Sequence, residues 1–584
     1  MPVSRNSFLS LGVALVLAQA ALTNAATAQV GPPVRLLPPP LPTTPLPPPI
    51  GQAPPDRGAL PAEPLRAPQG FTVDQLAPPN PDAIGTLGTG AHAFPETLWQ
   101  GSTRMAVLAL LPKIGTTTSP ALQDLAFRLL ASGAQPPAGK GESGTLLALR
   151  AERLTNALGR PDVALNLLQN LPPNQRGEDL AKVAVDLAFL AGDTPSACAQ
   201  IRERDHGWQS SYWDQGTVTC QALDGQAQEA RLGLDVLREG KVKDDGFAVL
   251  VEKVLGTDGK LPDALPSPQP MSLALLDKAG QGLSKKALDS SKLPVLKKVA
   301  AGDGFPADQR LAAAEKATAY GAFDPDRLAE AYLAVQIDDA DRDSPLNRAE
   351  AAGGAKGRAI LFQAARDAAT PDAKANFIAT LLGKVQRTEL YFAVARASER
   401  LILEVPASPD LRPVAGDFAR ALYALDRPND AAQWVEVAGP EVAASLLPLA
   451  HIVGGPALQP WGEDPLTDLT QSGKKDAALA LRRAVLVAQL LAAEGTPLPD
   501  RMVLPLVDAK IGVPASAGPG LLIDSEASGK HLGGTVLAVL AALGDDGANA
   551  PSNVVAEAVA GLRAIGLGDE ARHLAIDAAV VAGL

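Results

Sequence analysis

The 584 residues carry a formal net charge of −12, with 46% hydrophobic and only 4% aromatic side chains. An acidic chain is a poor partner for nucleic-acid phosphates. Scarce aromatics beside abundant Ala and Leu favour packed helices over sheet, and the length allows two to four domains.

The first element reads as a signal peptide over residues 1–28. Arg5 supplies a positive start, residues 8–21 an apolar stretch broken by Ser10 and Gly12, and Ala26-Thr27-Ala28 a small-residue cleavage site. That stretch is shorter than the about 20 residues of a membrane span. No Cys follows it to carry a lipid anchor. The expected product is exported and periplasmic, cleaved after Ala28, with no later transmembrane segment. Residues 29–93 read as a Pro-rich disordered linker, because fifteen prolines fall within 31–70. Such a segment favours an extended polyproline conformation. It would act as a stalk, a ligand for a Pro-binding module, or a tether.

Helical spacing begins near Phe94, with apolar stripes over 99–111 and 119–131. Between Gly133 and Gly141 a Gly-rich loop with Lys140 imitates a phosphate-binding loop. Its spacing is one residue too long, and Gly141 stands where Ser or Thr would hold Mg²⁺, so it is rejected as a nucleotide site. Three Gly-x4-Ala pairs then recur every 33 residues: Gly159 and Ala164, Gly192 and Ala197, Gly225 and Ala230. A fixed period of this size marks stacked helix–turn–helix units. Each Gly suits a left-handed helix end, and each Ala a close helix crossing. Leu154, Leu187 and Cys220 share one register position and should face the core. Leu180, Val183, Leu187 and Leu190 should line one helix face. Weaker echoes run from Leu425 to Ala431 and from Gly566 to Ala571.

These pairs resemble the tetratricopeptide repeat over about residues 145–240. The period is one residue short of that family's, and its first-helix aromatic signature is mostly missing. The resemblance implies a concave peptide-binding groove. The expected fold is all-α: a tetratricopeptide-like α-solenoid of antiparallel helix pairs. It divides into a helical repeat domain (94–256), a linker (257–270), a middle helical domain (271–440) and a C-terminal helical domain (441–584). Further amphipathic stretches include 307–320, 325–335, 374–383, 389–403, 474–494 and 533–543.

Cys198 and Cys220 are the only cysteines. Each lies eleven residues from a turn near Gln209, so an antiparallel hairpin would set them at equal height for a disulfide. An exported chain permits one; two buried thiols are the alternative. Trp208, Tyr212 and Trp213 crowd the same turn beside His206. They either anchor a partner or plug the gap between repeats. The run with Lys278, Lys285, Lys286, Lys292, Lys297 and Lys298 is either a solvated face or a contact for an anionic lipid or polymer. Asp339, Asp341, Asp343, Asn347 and Glu350 imitate a calcium loop, but Ser344 replaces the turn Gly and Pro345 opposes the loop geometry.

The five histidines show no metal spacing. Ser472 and Lys475 match S-x-x-K without its companion motifs, and no G-x-S-x-G occurs. No catalytic, cofactor or metal site is therefore assigned. The expected role is an exported, non-enzymatic scaffold for protein–protein interaction in the cell envelope, similar in type to helical-repeat envelope proteins of bacteria. Its partner would be an envelope protein or peptide, not nucleic acid. The alternatives are an accessory domain of a peptidoglycan-associated enzyme, or a glycan- or calcium-binding module.

Overall fold

The computed structural model describes residues 80–584 apart from 89, 91, 173–174, 241–244, 258–267, 455–476 and 508–516. The signal peptide, most of the Pro-rich segment, most of the 257–270 linker and the Ser472/Lys475 pair lie outside the described residues. Within them the fold is all-α, and extended pairing is limited to two isolated bridges, Leu87 with Ser132 and Thr103 with Ala138.

Helices α1 (Arg104–Leu110) and α2 (Pro120–Ala131) come first. The 33-residue units follow as hairpins: α3 (Thr145–Asn156) with α4 (Pro161–Gln169), α5 (Glu178–Ala191) with α6 (Thr194–Arg202), and α7 (Ser211–Leu223) with α8 (Ala227–Glu239). Next come α9 (Asp245–Val254), α10 (Pro270–Lys278), α11 (Lys285–Asp289), α12 (Leu293–Ala301), α13 (Ala307–Ala319) and α14 (Pro325–Ala334). They lead to α15 (Asp339–Asp343), α16 (Pro345–Ala352), α17 (Gly354–Asp367), α18 (Pro371–Val385), α19 (Tyr391–Ala397) and α20 (Glu399–Leu403). The remainder is α21 (Ala415–Ala424), α22 (Pro428–Ala438), α23 (Pro440–Val453), α24 (Ala477–Ala493), α25 (Asp500–Val507), α26 (Ala517–Ser528), α27 (Leu532–Leu543), α28 (Ser552–Ala564) and α29 (Gly568–Val581).

Local chemistry sets these boundaries. Proline opens α2, α4, α10, α14 and α22 in the first turn, where its missing N–H is no loss. Ser119, Asp193 and Asp324 cap their helices with side-chain oxygens. Gly159, Gly192 and Gly225 take φ of 59°, 83° and 78°. The residue after each donates its N–H back to the helix just ended (Arg160 to Leu154 O, Asp193 to Ala188 O, Gln226 to Gln221 O). Ala164, Ala197 and Ala230 are fully buried, as are Ala431 and Ala571 in the two echoes. Leu154, Leu187 and Cys220 are buried as expected. Val183 is not: it is 46% exposed, and the buried stripe of α5 is turned toward Val185, Ala188 and Phe189. The single stretch expected over 389–403 divides into α19 and α20 at the buried Ser398, whose φ of −96° and ψ of 0° break the helical run.

Two packing features depart from an open array. First, α10 packs on α5 and α7, and α12 packs on α3 and α5. The face formed by the first helices of the three units is thus a buried interface rather than a groove. Second, α29 packs against α2, α21 and α23, and α27 against α1 and α2. The described residues from Asn80 to Leu584 form one compact unit, so the expected middle and C-terminal domains share the core of the repeats. That unit begins before the expected boundary at Phe94. Asn80 caps a 3-10 turn (Pro81–Ala83), and the buried Asp82 accepts from Arg104 Nη2 at 2.7 Å. No described helix is long and apolar enough to cross a membrane.

Candidate functional site

The cysteine hairpin forms as its spacing implies. Cys198 on α6 and Cys220 on α7 are disulfide-bonded with Cα atoms 5.7 Å apart, and both are buried. The aromatic cluster at the hairpin tip turns inward onto α5. Trp213 is 1% exposed and donates from Nε1 to Glu178 at 3.1 Å. Tyr212 donates its hydroxyl to Asp186 at 2.8 Å and Lys182 O at 3.1 Å. Trp208 stacks on Trp213 with centroids 5.3 Å apart. As a partner anchor, Trp213 is ruled out by its burial. Burial also raises the Asp186 carboxyl to about 6, partly offset by the Tyr212 hydrogen bond.

The calcium-like residues are engaged otherwise. Asp339, Asp341 and Asp343 lie on α15, where Asp341 is buried and accepts from Arg348 Nε at 2.7 Å. Glu350 pairs with Lys384. The lysine run splits: Lys298 is buried and paired with Asp277 at 2.8 Å, and Lys297 meets Asp162 at 2.7 Å, while Lys278, Lys285, Lys286 and Lys292 are exposed.

Lys297 leads to a recess rich in cations. A cleft of about 570 Å³ opens between α2, the turn before α4, α12, the α13–α14 turn and α19. Gln123 on α2 ties its walls together, donating to Thr117 O at 2.8 Å and Ala319 O at 3.1 Å. Two glycines permit the close approach. Gly321 has φ +73°, and a Cβ there would meet Gln123 Oε1 at 2.5 Å. Gly159 has φ +59°, and a Cβ would meet Ala322 Cβ at 2.5 Å and Leu293 Cγ at 2.7 Å.

Four cations line this cleft in an acidic protein. Arg160 lies 4.9 Å from the Phe127 ring centroid, and Arg327 lies 4.7 Å from that of Phe323. Such stacking fixes a guanidinium in place. Burial opposes charge on Asp162, but Lys297 and then Arg160 outweigh it and hold the carboxyl below its usual range. Burial lowers the pKa of Lys297. Arg327 and Arg396 are exposed, and among the described residues neither has a carboxylate within ion-pair distance.

Two further recesses share residues with it. One of about 610 Å³ shares Lys297 and Arg327 and adds Lys278. The other, about 320 Å³, shares Pro120, Asp124 and Arg396 and reaches Asp426, His573 and Asp577. There His573 Nε2 lies 3.0 Å from Asp426 Oδ2. The buried Ser119 hydroxyl is donated to Asp577 at 2.5 Å, so it is not offered as a nucleophile. The arrangement suits binding an anion more than acid–base work. Sequence reading placed Lys297 and the Arg160 turn but missed Arg327 and Arg396, because only the tertiary fold brings α14 and α19 to one cleft. No protein-family model, curated protein or solved structure matches the chain.

Proposed function

We propose that the protein is an exported, non-enzymatic scaffold of the bacterial cell envelope that holds a protein partner through the cleft between α2, α12, the α13–α14 turn and α19. The observation that carries this reading is the pair Arg327 and Arg396, which line the cleft and have no ion-pair partner among the described residues. Surface guanidiniums without partners beside apolar walls are the usual anchors of a bound chain. A tetratricopeptide-like solenoid of three helix pairs adds Arg160 and Asp162 to this cleft, and the helix-end glycines and buried alanines of the 33-residue register support the solenoid reading. Export to the periplasm, with cleavage after Ala28, agrees with the signal-like N-terminus and with a disulfide, which oxidising compartments favour.

A photo-cross-linking phenylalanine analogue at the half-buried Phe127, in the cleft wall, tests the assignment in cells. The expected result is one dominant adduct in the envelope fraction, absent when the same probe replaces the exposed Glu229 on α8. Equal labelling from both positions, or none from Phe127, would overturn it. N-terminal sequencing of the mature protein is expected to begin at Gln29.

A further inference from the structure

We infer that the segment held in this cleft is an extended acidic peptide, read by Arg327 and Arg396; this rests on the scaffold reading above. The imbalance of partners carries it. Two of the three carboxylates on the cleft wall are ion-paired, and the third caps a helix. Asp162 pairs with Lys297 and Arg160. Asp124 lies 3.3 Å from Arg128 and 3.4 Å from His92. Asp324 caps α14, accepting from Asp326 N at 2.8 Å. In the adjoining recess Asp277 takes Lys298 and the N–H of Gly304, and Asp303 meets Arg310 at 3.4 Å. The cations are not matched in this way: Lys278, Arg327 and Arg396 keep no ion pair among the described residues.

The three cations lie along two adjoining recesses that share Arg327. A chain carrying several carboxylates would meet them together, with each Arg offering a two-pronged donor set to a carboxylate. The walls favour peptide over other polyanions. Carbohydrate binds by stacking on open aromatic faces, but Phe127 and Phe323 each have a guanidinium over the ring. A bilayer surface does not enter a recess. Phe392, Ala319, Ala322 and Ala393 instead supply an apolar lining for the Cβ atoms and apolar side chains of an extended chain.

The test exposes the whole mature protein to an array of random-sequence peptides and sequences those retained. Asp and Glu are expected to be enriched in the wild-type set. The enrichment should vanish for Arg327→Gln/Arg396→Gln, with the affinity of the best peptide falling at least about tenfold, which is about 1.4 kcal/mol. Arg231→Gln, a remote charge change on α8, should leave both readouts unchanged, and circular dichroism should show each variant folded. Retained peptides without acidic bias, or a bias that survives in the double variant, would overturn the inference and leave the scaffold reading standing. Competition by an anionic glycan or by anionic vesicles, but not by the acidic peptide, would overturn it in favour of another ligand class. If no peptide is retained and the Phe127 probe also captures nothing, both readings fall.

Discussion

At the scale of single residues, two buried charges anchor the chain and both yield predictions. Arg150 on α3 is 2% exposed and spends its guanidinium on backbone carbonyls: Leu130 at 2.8 Å, Ile84 at 2.7 Å and Ser132 at 2.7 Å. It fastens the segment around Ile84 to the end of α2, while burial lowers its pKa to about 10, partly countered by Asp82. Arg150→Met keeps the volume but strands those carbonyls, and it should lower unfolding free energy by about 3 kcal/mol or more in denaturant titration. Asp577 on α29 accepts from Ser119 Oγ and from Ala121 N at 3.0 Å, and burial raises its carboxyl from 3.8 to about 6. The folded state therefore holds this proton more tightly than the unfolded one. The resulting stability is fully present below about pH 4 and lost as pH rises through about 6. Asp577→Asn keeps an acceptor and removes the titration. The difference in Tm between wild type and variant should change between those two pH values and flatten outside them. A constant offset would show that Asp577 does not titrate there. Using the difference cancels Asp186, which titrates in the same window.

At the scale of elements, the repeat hairpins differ in what they rest on. Gly225 has open space around its missing Cβ, whereas Gly159 is closed in by Ala322 and Leu293. Gly225→Ala should cost about 1 kcal/mol, from left-handed backbone strain alone. Gly159→Ala should cost about 1–3 kcal/mol more, because a neighbour must shift as well. Equal losses would mean that the contact of Gly159 with α12 and the α13–α14 turn yields freely. The disulfide closes a separation of 22 residues between α6 and α7. Replacing both cysteines with Ser should destabilise by about 3 kcal/mol, checked by unfolding with and without reductant. These elements were legible in the sequence because their signals are local: a Gly that ends a helix, a small residue five positions on, a pair of cysteines equidistant from a turn. The aromatic tip was half-legible. Its crowding was visible, but only the placement of Glu178 and Asp186 on α5 decides that it packs. The cleft was largely illegible, since Arg160, Lys297, Arg327 and Arg396 lie on segments whose meeting depends on α2 packing against α3 and α29 and on the Gln123 bond to Ala319 O.

At the scale of the molecule, the fold is closed rather than open-ended. Arg128 on α2 pairs with Glu570 on α29 at 2.7 Å, Gly533 N bonds Leu98 O at 2.9 Å, and Thr116 N bonds Asp545 at 2.8 Å. In an open array each unit contacts only its neighbours, and trimming one end leaves the other intact. Here, removing residues 568–584 should speed amide hydrogen exchange in α2 and α21 as well as in α28. Faster exchange confined to α28 would count against closure. The same contacts impose an order in time. Ser119 and Asp577 meet across 458 residues of sequence, and a chain is made from its N-terminus. Helix α2, with its buried Leu122, Leu125 and Leu129, is thus synthesised long before the helices that complete its packing. Until α27 and α29 emerge, that apolar face lacks part of its native cover, and the growing chain depends on being shielded from its neighbours.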